Sequence, residues 1–144
     1  LVLMRRRVLV VCLGNICRSP LAQGIFESYA NDKELFIDSA ATSSYHQNAR
    51  PDHRSIKVGL RYNIDISSQR SRQIKAIDFH DFDEIYAVDQ SIFETLLKLA
   101  PEKNLRHKVK MIDDRDVLDP YYGDENDFEA VFQQLNSCIQ KLIL

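Results

Sequence analysis

No apolar run in this sequence approaches the roughly 20 residues that a membrane-spanning helix needs, so we expect no membrane partner. There is no excess of positive charge either, and a formal net charge of −2 gives no general affinity for nucleic acid. Internal repeats, linkers and low-complexity segments are also lacking. What remains is a chain of 144 residues, 44% apolar and 28% charged, with the composition of a soluble globular protein.

Cysteine is scarce, and its three positions, Cys12, Cys17 and Cys138, do not have the spacing of a disulfide framework. An odd number of cysteines without such spacing favours a reducing, cytoplasmic compartment. No further Cys or His pair has zinc-ligand spacing next to Cys12 and Cys17, so we expect no metal and no other cofactor. We assign no role to the four scattered histidines, which are His46, His53, His80 and His107.

The length of the chain predicts one domain over residues 1–144, large enough to bury a proper core. Residues 1–7 are too short for a signal peptide and lead directly into an apolar run. We interpret residues 1–3 as an addition made for expression, with Met4 as the natural start.

The most informative stretch begins with an unbroken apolar run, Val8–Val11, which is typical of a strand buried on both faces of a parallel sheet. Ser19 and Pro20 then predict the start of a helix, with a hydroxyl cap and a proline in its first turn. The sequence therefore predicts that Cys12 and Arg18 bracket a loop between the carboxyl end of a strand and the amino end of a helix.

Such a loop has the chemistry of an anion-binding site. The unpaired N–H groups and the dipole at a helix N-terminus attract negative charge, and a loop curled ahead of the helix turns further amides inward. Arg18 adds a planar fork for two phosphate oxygens. The same field favours the thiolate of Cys12, and Ser19 is placed to donate a hydrogen bond to it. A core cysteine before an ordinary capped helix is the less favoured interpretation, and a nucleotide-binding loop is excluded because the stretch has no Gly-Lys pair.

The string CLGNICRSP, from Cys12 to Pro20, resembles the phosphate loop of low-molecular-weight protein tyrosine phosphatases. Strands and helices that alternate along the chain independently predict an α/β parallel sheet covered by helices on both faces. The resemblance implies a flavodoxin-like three-layer fold with a four-stranded sheet in the order 2-1-3-4.

It also implies metal-independent hydrolysis of phosphotyrosine and small aryl phosphates through a phosphocysteine on Cys12, with Arg18 binding the phosphate. The implied partners are phosphotyrosine proteins, with inorganic phosphate or similar oxyanions as ligands. The loop residues implied to bind phosphate are Leu13, Gly14, Asn15, Ile16, Cys17 and Ser19.

A general acid is sought among the carboxylates that crowd residues 113–125, where composition alone cannot choose. Asp119 stands out because Pro120 restricts its backbone and two tyrosines follow. Asp119-Pro120-Tyr121-Tyr122 resembles the general-acid loop of the family. The resemblance implies that Asp119 protonates the leaving phenol and later activates water.

An aromatic residue, Tyr45, stands in the polar loop 42–50. Taken alone it is ordinary surface decoration. Within the resemblance it matches the aromatic that flanks the substrate ring, so that Tyr45 and either Tyr121 or Tyr122 would sandwich an aromatic leaving group. This arrangement would favour phosphotyrosine over the shorter phosphoserine.

Two positions leave the expected pattern open. Many family members carry a histidine at about Gln69, where it helps to brace the phosphate loop through Asn15; Gln69 can hydrogen-bond but makes that brace less certain. Residues 69–74 predict a short helical turn whose cations, with Lys75, form a solvated face rather than a phosphate patch. Cys17 is either a small side chain packed under the loop or, as the resemblance implies, a thiol that forms a reversible disulfide with Cys12.

Other functions on a similar framework are less well supported. Arsenate reduction passes a disulfide along two further cysteines, and only Cys138 is left besides Cys12 and Cys17. Cys138 lies in the apolar stripe of the last helix and is predicted to be a core residue. Protein-arginine phosphatases tend to have Thr where Ile16 stands. A catalytically inactive phosphopeptide-binding module would be expected to lack Cys12, Arg18 or Asp119, and all three are present.

Overall fold

The computed structural model describes residues 5–30 and 34–143. The expectation about residues 1–3 and Met4 lies outside the described residues. The strands are β1 (Arg6–Cys12), β2 (Leu35–Ala41), β3 (Glu84–Ala87) and β4 (Val109–Met111). The α-helices are α1 (Arg18–Tyr29), α2 (His53–Arg61), α3 (Asp78–Asp81), α4 (Gln90–Leu99) and α5 (Glu125–Ile143), and a 3₁₀ helix spans Lys103–Lys108. None of the helices in these two ranges is long and apolar enough to cross a membrane.

The four strands form one parallel sheet in the order β2-β1-β3-β4, which confirms the predicted topology. Because β1 pairs with a strand on each side, residues 8–11 are fully buried, as their unbroken apolar run predicts. The chain moves one way from β1 to β2 and the opposite way from β3 to β4. Right-handed crossovers therefore put α1 and α4 on opposite faces, and the carboxyl end of β1 lies at the switch point where such sheets bind ligands.

One hydrophobic core runs through the described chain, from Val8 in β1 to Ile139 in α5. Helices α1, α2 and α5 pack together, whereas α4 packs against β3 and β4. Cys138 is 5% exposed within this core, which confirms its prediction as a core residue.

Two local predictions are wrong. Ser19 does not cap α1, because the helix already begins at Arg18 and Ser19 lies inside the first turn with its hydroxyl directed at Cys12. Residues 69–74 are not a helical turn: Gln73 forms a parallel bridge with Ala41 at the end of β2, and this segment extends the sheet edge locally.

One arginine of that segment departs from the predicted solvated face, whereas Arg70 and Lys75 are exposed as predicted. Arg72 pairs with Asp78 through two hydrogen bonds of 2.9 and 3.1 Å, and with Asp38 at 3.1 Å. Its extended backbone turns the side chain inward toward α3 and β2, where Asp78 is 5% exposed. Arg72 therefore anchors the segment instead of facing water.

Candidate active site

The phosphate loop, residues 12–18, joins the end of β1 to the start of α1. Cys12 is the last residue of the strand and is 2% exposed, while Arg18 is the first residue of the helix and is 3% exposed. Two backbone hydrogen bonds tie the loop to the chain after β2: Thr42 N–H donates to Cys12 O at 3.0 Å and Ser43 N–H to Leu13 O at 3.1 Å. The loop is thus held at its strand end by main-chain contacts.

The sulfur of Cys12 is surrounded by hydrogen-bond donors. The Asn15 N–H donates to Sγ at 3.2 Å, and Ser19 Oγ lies 3.0 Å from it. Ser19 Oγ already accepts a hydrogen bond from Asn15 Nδ2 at 2.7 Å, which leaves its own proton free to point at the sulfur. The Asn15 N–H and the Ser19 hydroxyl are therefore both directed at the sulfur of Cys12.

Asn15 adopts a left-handed backbone, with φ of 57°, and is 2% exposed. Its Nδ2 donates to Ser19 Oγ and, at 2.9 Å, to Ser39 Oγ, while its Oδ1 accepts the N–H of Arg72 at 3.1 Å. Ser39 in turn donates to Gln23 Oε1 at 2.7 Å. The turn that presents the Asn15 N–H to the sulfur is therefore braced by β2 and by the segment anchored through Arg72.

Arg18 is held in the pocket by groups that the sequence did not single out. Its Nη1 donates to Asp89 Oδ2 at 2.7 Å and to Val117 O at 2.8 Å. Its Nη2 lies 3.7 Å from Asp119 Oδ2. A carboxylate two residues after β3, at the carboxyl edge of a parallel sheet, is the pattern that would have pointed to Asp89.

The loop and Asp119 share one pocket of about 370 Å³. Its lining consists of Cys12, Leu13, Gly14, Ile16, Cys17, Arg18, Tyr45, His46, Asp119, Tyr121 and Tyr122. The pocket lining thus includes all the predicted site residues except Asn15 and Ser19, which are buried and contact the Cys12 sulfur.

Aromatic rings surround the mouth of this pocket. Tyr45 and Tyr122 are 76% and 98% exposed, and Tyr122 meets the ring of Tyr121 edge-on at 4.9 Å between centroids. His46 was missed by sequence reasoning; its ring lies 6.4 Å from that of Tyr121 and covers Gly14, where a Cβ would come within 3.1 Å of His46 Cδ2. The sequence signal that could have identified His46 is its position directly after Tyr45, which was predicted to flank the substrate.

Cys17 lies under the loop and is 4% exposed. Burial, reinforced by the negative charges of Asp52, Cys12 and Asp119, raises the pKa of its thiol to about 12. Cys17 is therefore a neutral thiol at physiological pH. The sulfur of Cys12, by contrast, is surrounded by hydrogen-bond donors. Within residues 5–30 and 34–143, no group of three or more His, Cys, Asp or Glu side chains is arranged to hold a metal ion.

Comparison with known proteins assigns this chain to a protein family. A model of the low molecular weight phosphotyrosine protein phosphatases matches residues 7–143. The chain belongs to this family. Proteins of that name from Sus scrofa and Homo sapiens are each 36% identical over 149 residues, which cover 96% of this chain and 94% of theirs. The Saccharomyces cerevisiae protein of the same name is 37% identical in an alignment of length 142, which covers 89% of this chain and 87% of its own.

Solved structures agree with the family and with the fold. A protein tyrosine phosphatase from Entamoeba histolytica, solved with Hepes in its active site, superposes with a TM-score of 0.90 at 34% identity, covering 96% of this chain and 94% of that one. The low molecular weight protein tyrosine phosphatase from Streptococcus pyogenes gives a TM-score of 0.88 at 31% identity, over 96% and 91% of the two chains.

Within the described part of this low molecular weight phosphatase, no hydrogen bond joins Gln69 to Asn15. Its Nε2 donates to Pro20 O at 3.1 Å, and its buried Oε1 has no hydrogen-bond partner in the described part of the chain. The phosphate loop is braced instead by Ser39 and by the backbone of Arg72.

Proposed function

We propose that this protein hydrolyses phosphotyrosine in proteins, and small aryl phosphates, through a phosphocysteine intermediate and without a metal ion. The observation that carries the proposal is the meeting of a donor-surrounded Cys12 sulfur, the Arg18 guanidinium and the Asp119 carboxylate in one pocket.

Phosphate binding in this proposal uses Arg18 and the amides of the loop. The guanidinium is fixed through Nη1 by Asp89 and Val117, so its remaining N–H groups are free for the equatorial phosphate oxygens. The amide groups of residues 13–17 and the N-terminus of α1 add positive potential around the same centre. Together they supply the electrostatic stabilisation that a metal ion gives in other phosphatases.

The first chemical step transfers the phosphoryl group to the enzyme. The Cys12 thiolate attacks phosphorus and forms an S–P bond while the ester P–O bond breaks. The departing phenolate oxygen takes the proton of Asp119, so a neutral phenol leaves. This role of Asp119 is supported by its position in the pocket lining and by its 45% exposed side chain.

The second step hydrolyses the intermediate. Water attacks phosphorus and gives its proton to the Asp119 carboxylate, and the S–P bond breaks. Inorganic phosphate is released and the Cys12 thiolate returns to the donors from Asn15 and Ser19. One carboxyl group thus acts as acid and then as base.

The aromatic mouth supports an aryl ester as the substrate. Tyr45, Tyr121 and Tyr122 offer ring faces and edges above a deep anion site, and a phenyl ring is long enough to lie between them while its phosphate reaches Cys12. The Hepes molecule in the Entamoeba histolytica active site carries a sulfonate, a tetrahedral oxyanion like phosphate.

Three free thiols support a reducing, cytoplasmic setting, because a nucleophilic cysteine must stay reduced to react. We also propose that residues 1–144 act as one catalytic domain. A single hydrophobic core joins β1 to α5, and the phosphate loop and the loop that carries Asp119 both lie on this core.

The test is phosphate release from a phosphotyrosine peptide by fully reduced protein, at mildly acidic pH with EDTA present. We expect turnover in the wild type and in the control Cys138→Ser, and none in Cys12→Ser, which should still bind inorganic phosphate. Turnover by Cys12→Ser would overturn the nucleophile. No turnover by the wild type would instead favour arsenate reduction or phosphoarginine hydrolysis, each of which can be assayed directly.

A further inference from the structure

The acid loop, residues 118–123, is anchored at both ends but projects between them. Before it, Val117 is fully buried and its N–H donates to Val88 O at 2.9 Å. After it, Asp124 immediately precedes α5 and accepts the Asp127 N–H through Oδ1 at 3.2 Å. Asp119 and the loop residues other than Pro120 are exposed, so the core itself does not set the position of the carboxyl group.

Arg54, on the first turn of α2, holds this loop from the side. Its Nη2 donates to Tyr121 O at 2.9 Å and its Nη1 to Gly123 O at 3.2 Å. Across the described part of the chain, both hydrogen bonds that join the acid loop to other residues come from Arg54. The guanidinium also lies over the rings of Phe128 and Tyr121, 4.5 and 5.8 Å from their centroids.

Arg54 is itself held in place by Asp52, the N-cap of α2. Asp52 Oδ2 accepts from Nη2 at 2.9 Å and Oδ1 accepts from Nε at 3.0 Å. Partial burial opposes ionisation of Asp52, but its hydrogen bonds with Arg54 outweigh that effect and lower the pKa of the carboxyl group. The side chain of Arg54 is therefore fixed by a charged partner.

The same Asp52 is bonded to the phosphate loop, because its N–H donates to Ile16 O at 2.8 Å. Contacts therefore run without a break from the phosphate loop through Asp52 and Arg54 to Tyr121. The Tyr121 N–H donates to Asp119 Oδ1 at 3.1 Å, so the residue whose carbonyl Arg54 holds also orients the carboxyl group.

We propose that Arg54 is a positioning residue for the reaction: it ties the acid loop to the phosphate loop and so sets where Asp119 lies relative to Cys12. This role rests on the proposed function, in which Asp119 protonates the leaving phenol. Neither Arg54 nor Asp52 needs to touch the substrate.

Leaving-group dependence separates this role from a merely structural one. An ester of a weakly acidic phenol depends strongly on protonation by Asp119, whereas an ester of an acidic phenol leaves without much help. Misplacing Asp119 therefore slows phenyl phosphate much more than 4-nitrophenyl phosphate. A loss of folded protein, or of phosphate affinity, slows both esters by the same factor.

The experiment measures kcat/KM for these two esters in Arg54→Met and Arg54→Lys, with Arg61→Met as the control. Arg61 lies on the same helix and pairs with Glu125 and Glu129 of α5 instead of with the acid loop. We expect Arg54→Met to lose about 10- to 100-fold on phenyl phosphate and less than about threefold on 4-nitrophenyl phosphate. Arg54→Lys, which keeps the charge but not the fork, should show the same preference to a smaller degree. Arg61→Met should change both esters equally and by less than about twofold.

Equal losses on both esters, or none, would overturn the role of Arg54. If Arg54→Met does not fold, Arg54→Lys decides by the same comparison. A second test adds Arg54→Met to Asp119→Asn: we expect no further loss on phenyl phosphate, and independent multiplying losses would show that Arg54 does not act through Asp119. If the wild type hydrolyses neither ester, the proposed function fails instead, which distinguishes the two failures.

Discussion

Arg18 and Asp89 form an ion pair under the phosphate pocket, with Nη1 2.7 Å from Oδ2. The same carboxylate caps α4, because its Oδ1 accepts the N–H of Ile92 at 2.8 Å. Arg18 comes from the first β-α unit and Asp89 from the unit on the other side of the switch point. The cation that we propose to bind phosphate is therefore oriented by the opposite half of the sheet.

Asp89→Asn should remove the ion pair with Arg18 but keep the cap of α4, because an amide oxygen still accepts the Ile92 N–H. Arg18 is buried, so losing its charged partner should lower the free energy of unfolding by roughly 1.5–3 kcal/mol. A less fixed guanidinium should also lower kcat/KM by about 10- to 100-fold. Urea unfolding and steady-state kinetics check both values. Asp89→Ala should cost about 1 kcal/mol more through loss of the cap. An Asn variant with wild-type kinetics would show that Asp89 does not orient Arg18.

Asn15 should be needed both for its backbone conformation and for its side-chain hydrogen bonds. Asn15→Gly tolerates the left-handed φ but loses the contacts with Ser19, Ser39 and Arg72, so kcat/KM should fall by about 10²-fold. Asn15→Ala should lose as much activity and a further 1–2 kcal/mol or so of unfolding free energy. Asn63→Ala is the matched control, because Asn63 has φ of 62° after α2, far from the loop. It should lose stability but no activity.

Asp119→Ala should slow phenyl phosphate esters by about 10²–10⁴-fold, the usual contribution of a general acid. Protein thermal stability should change little, because the side chain is 45% exposed. The measurement is kcat/KM for phenyl phosphate across pH, in which the limb set by the acid should disappear. An unaltered rate would assign the acid to another carboxylate of residues 113–125.

Local sequence patterns predicted most of the fold and the centre of the site. The apolar run before Cys12 predicted β1, and the resemblance of the loop string and of Asp119-Pro120-Tyr121-Tyr122 to the family's motifs implied Cys12, Arg18 and Asp119, which share one pocket. What sequence could not predict depends on contacts between distant segments. Asp89, Ser39 and Arg54 look like ordinary polar residues until the sheet brings them beside the loops.

The error at residues 69–74 has the same origin. Their polarity and spacing favour a solvated helical turn, but this local preference is weak. The bridge between Gln73 and Ala41 and the ion pair between Arg72 and Asp78 outweigh it. The segment is held extended so that the Arg72 N–H reaches Asn15. Tertiary contacts, not propensity, decide the structure there.

Alkaline pH should destabilise the fold through its buried thiols. Burial, with the charge of Asp113 adding to it, raises the pKa of Cys138 to about 12, and burial raises that of Cys17 to about 12 as well. A raised pKa of an acid group means that the folded state holds its proton more tightly. The stability is therefore fully present below the unfolded thiol pKa of about 8.5 and is lost as pH rises toward 12. Each thiol should add a slope of up to about 1.4 kcal/mol per pH unit. Urea unfolding between pH 7 and 10.5 should give a flatter dependence in Cys138→Ala; an unchanged slope would contradict this origin.

Gln69 should be nearly dispensable for catalysis, since its amide bonds Pro20 O and leaves Asn15 to Ser39 and Arg72. Gln69→Ala should change kcat/KM by less than about threefold, because no group on the phosphate loop loses a partner. Asp78→Asn is the informative comparison: it weakens the anchor of Arg72, whose N–H holds Asn15 Oδ1, and should lower kcat/KM by about tenfold although Asp78 lies outside the pocket. Kinetics on 4-nitrophenyl phosphate, with circular dichroism to confirm folding, compare the two variants. If Gln69→Ala lost more activity than Asp78→Asn, residue 69 rather than Arg72 would be the brace of the loop.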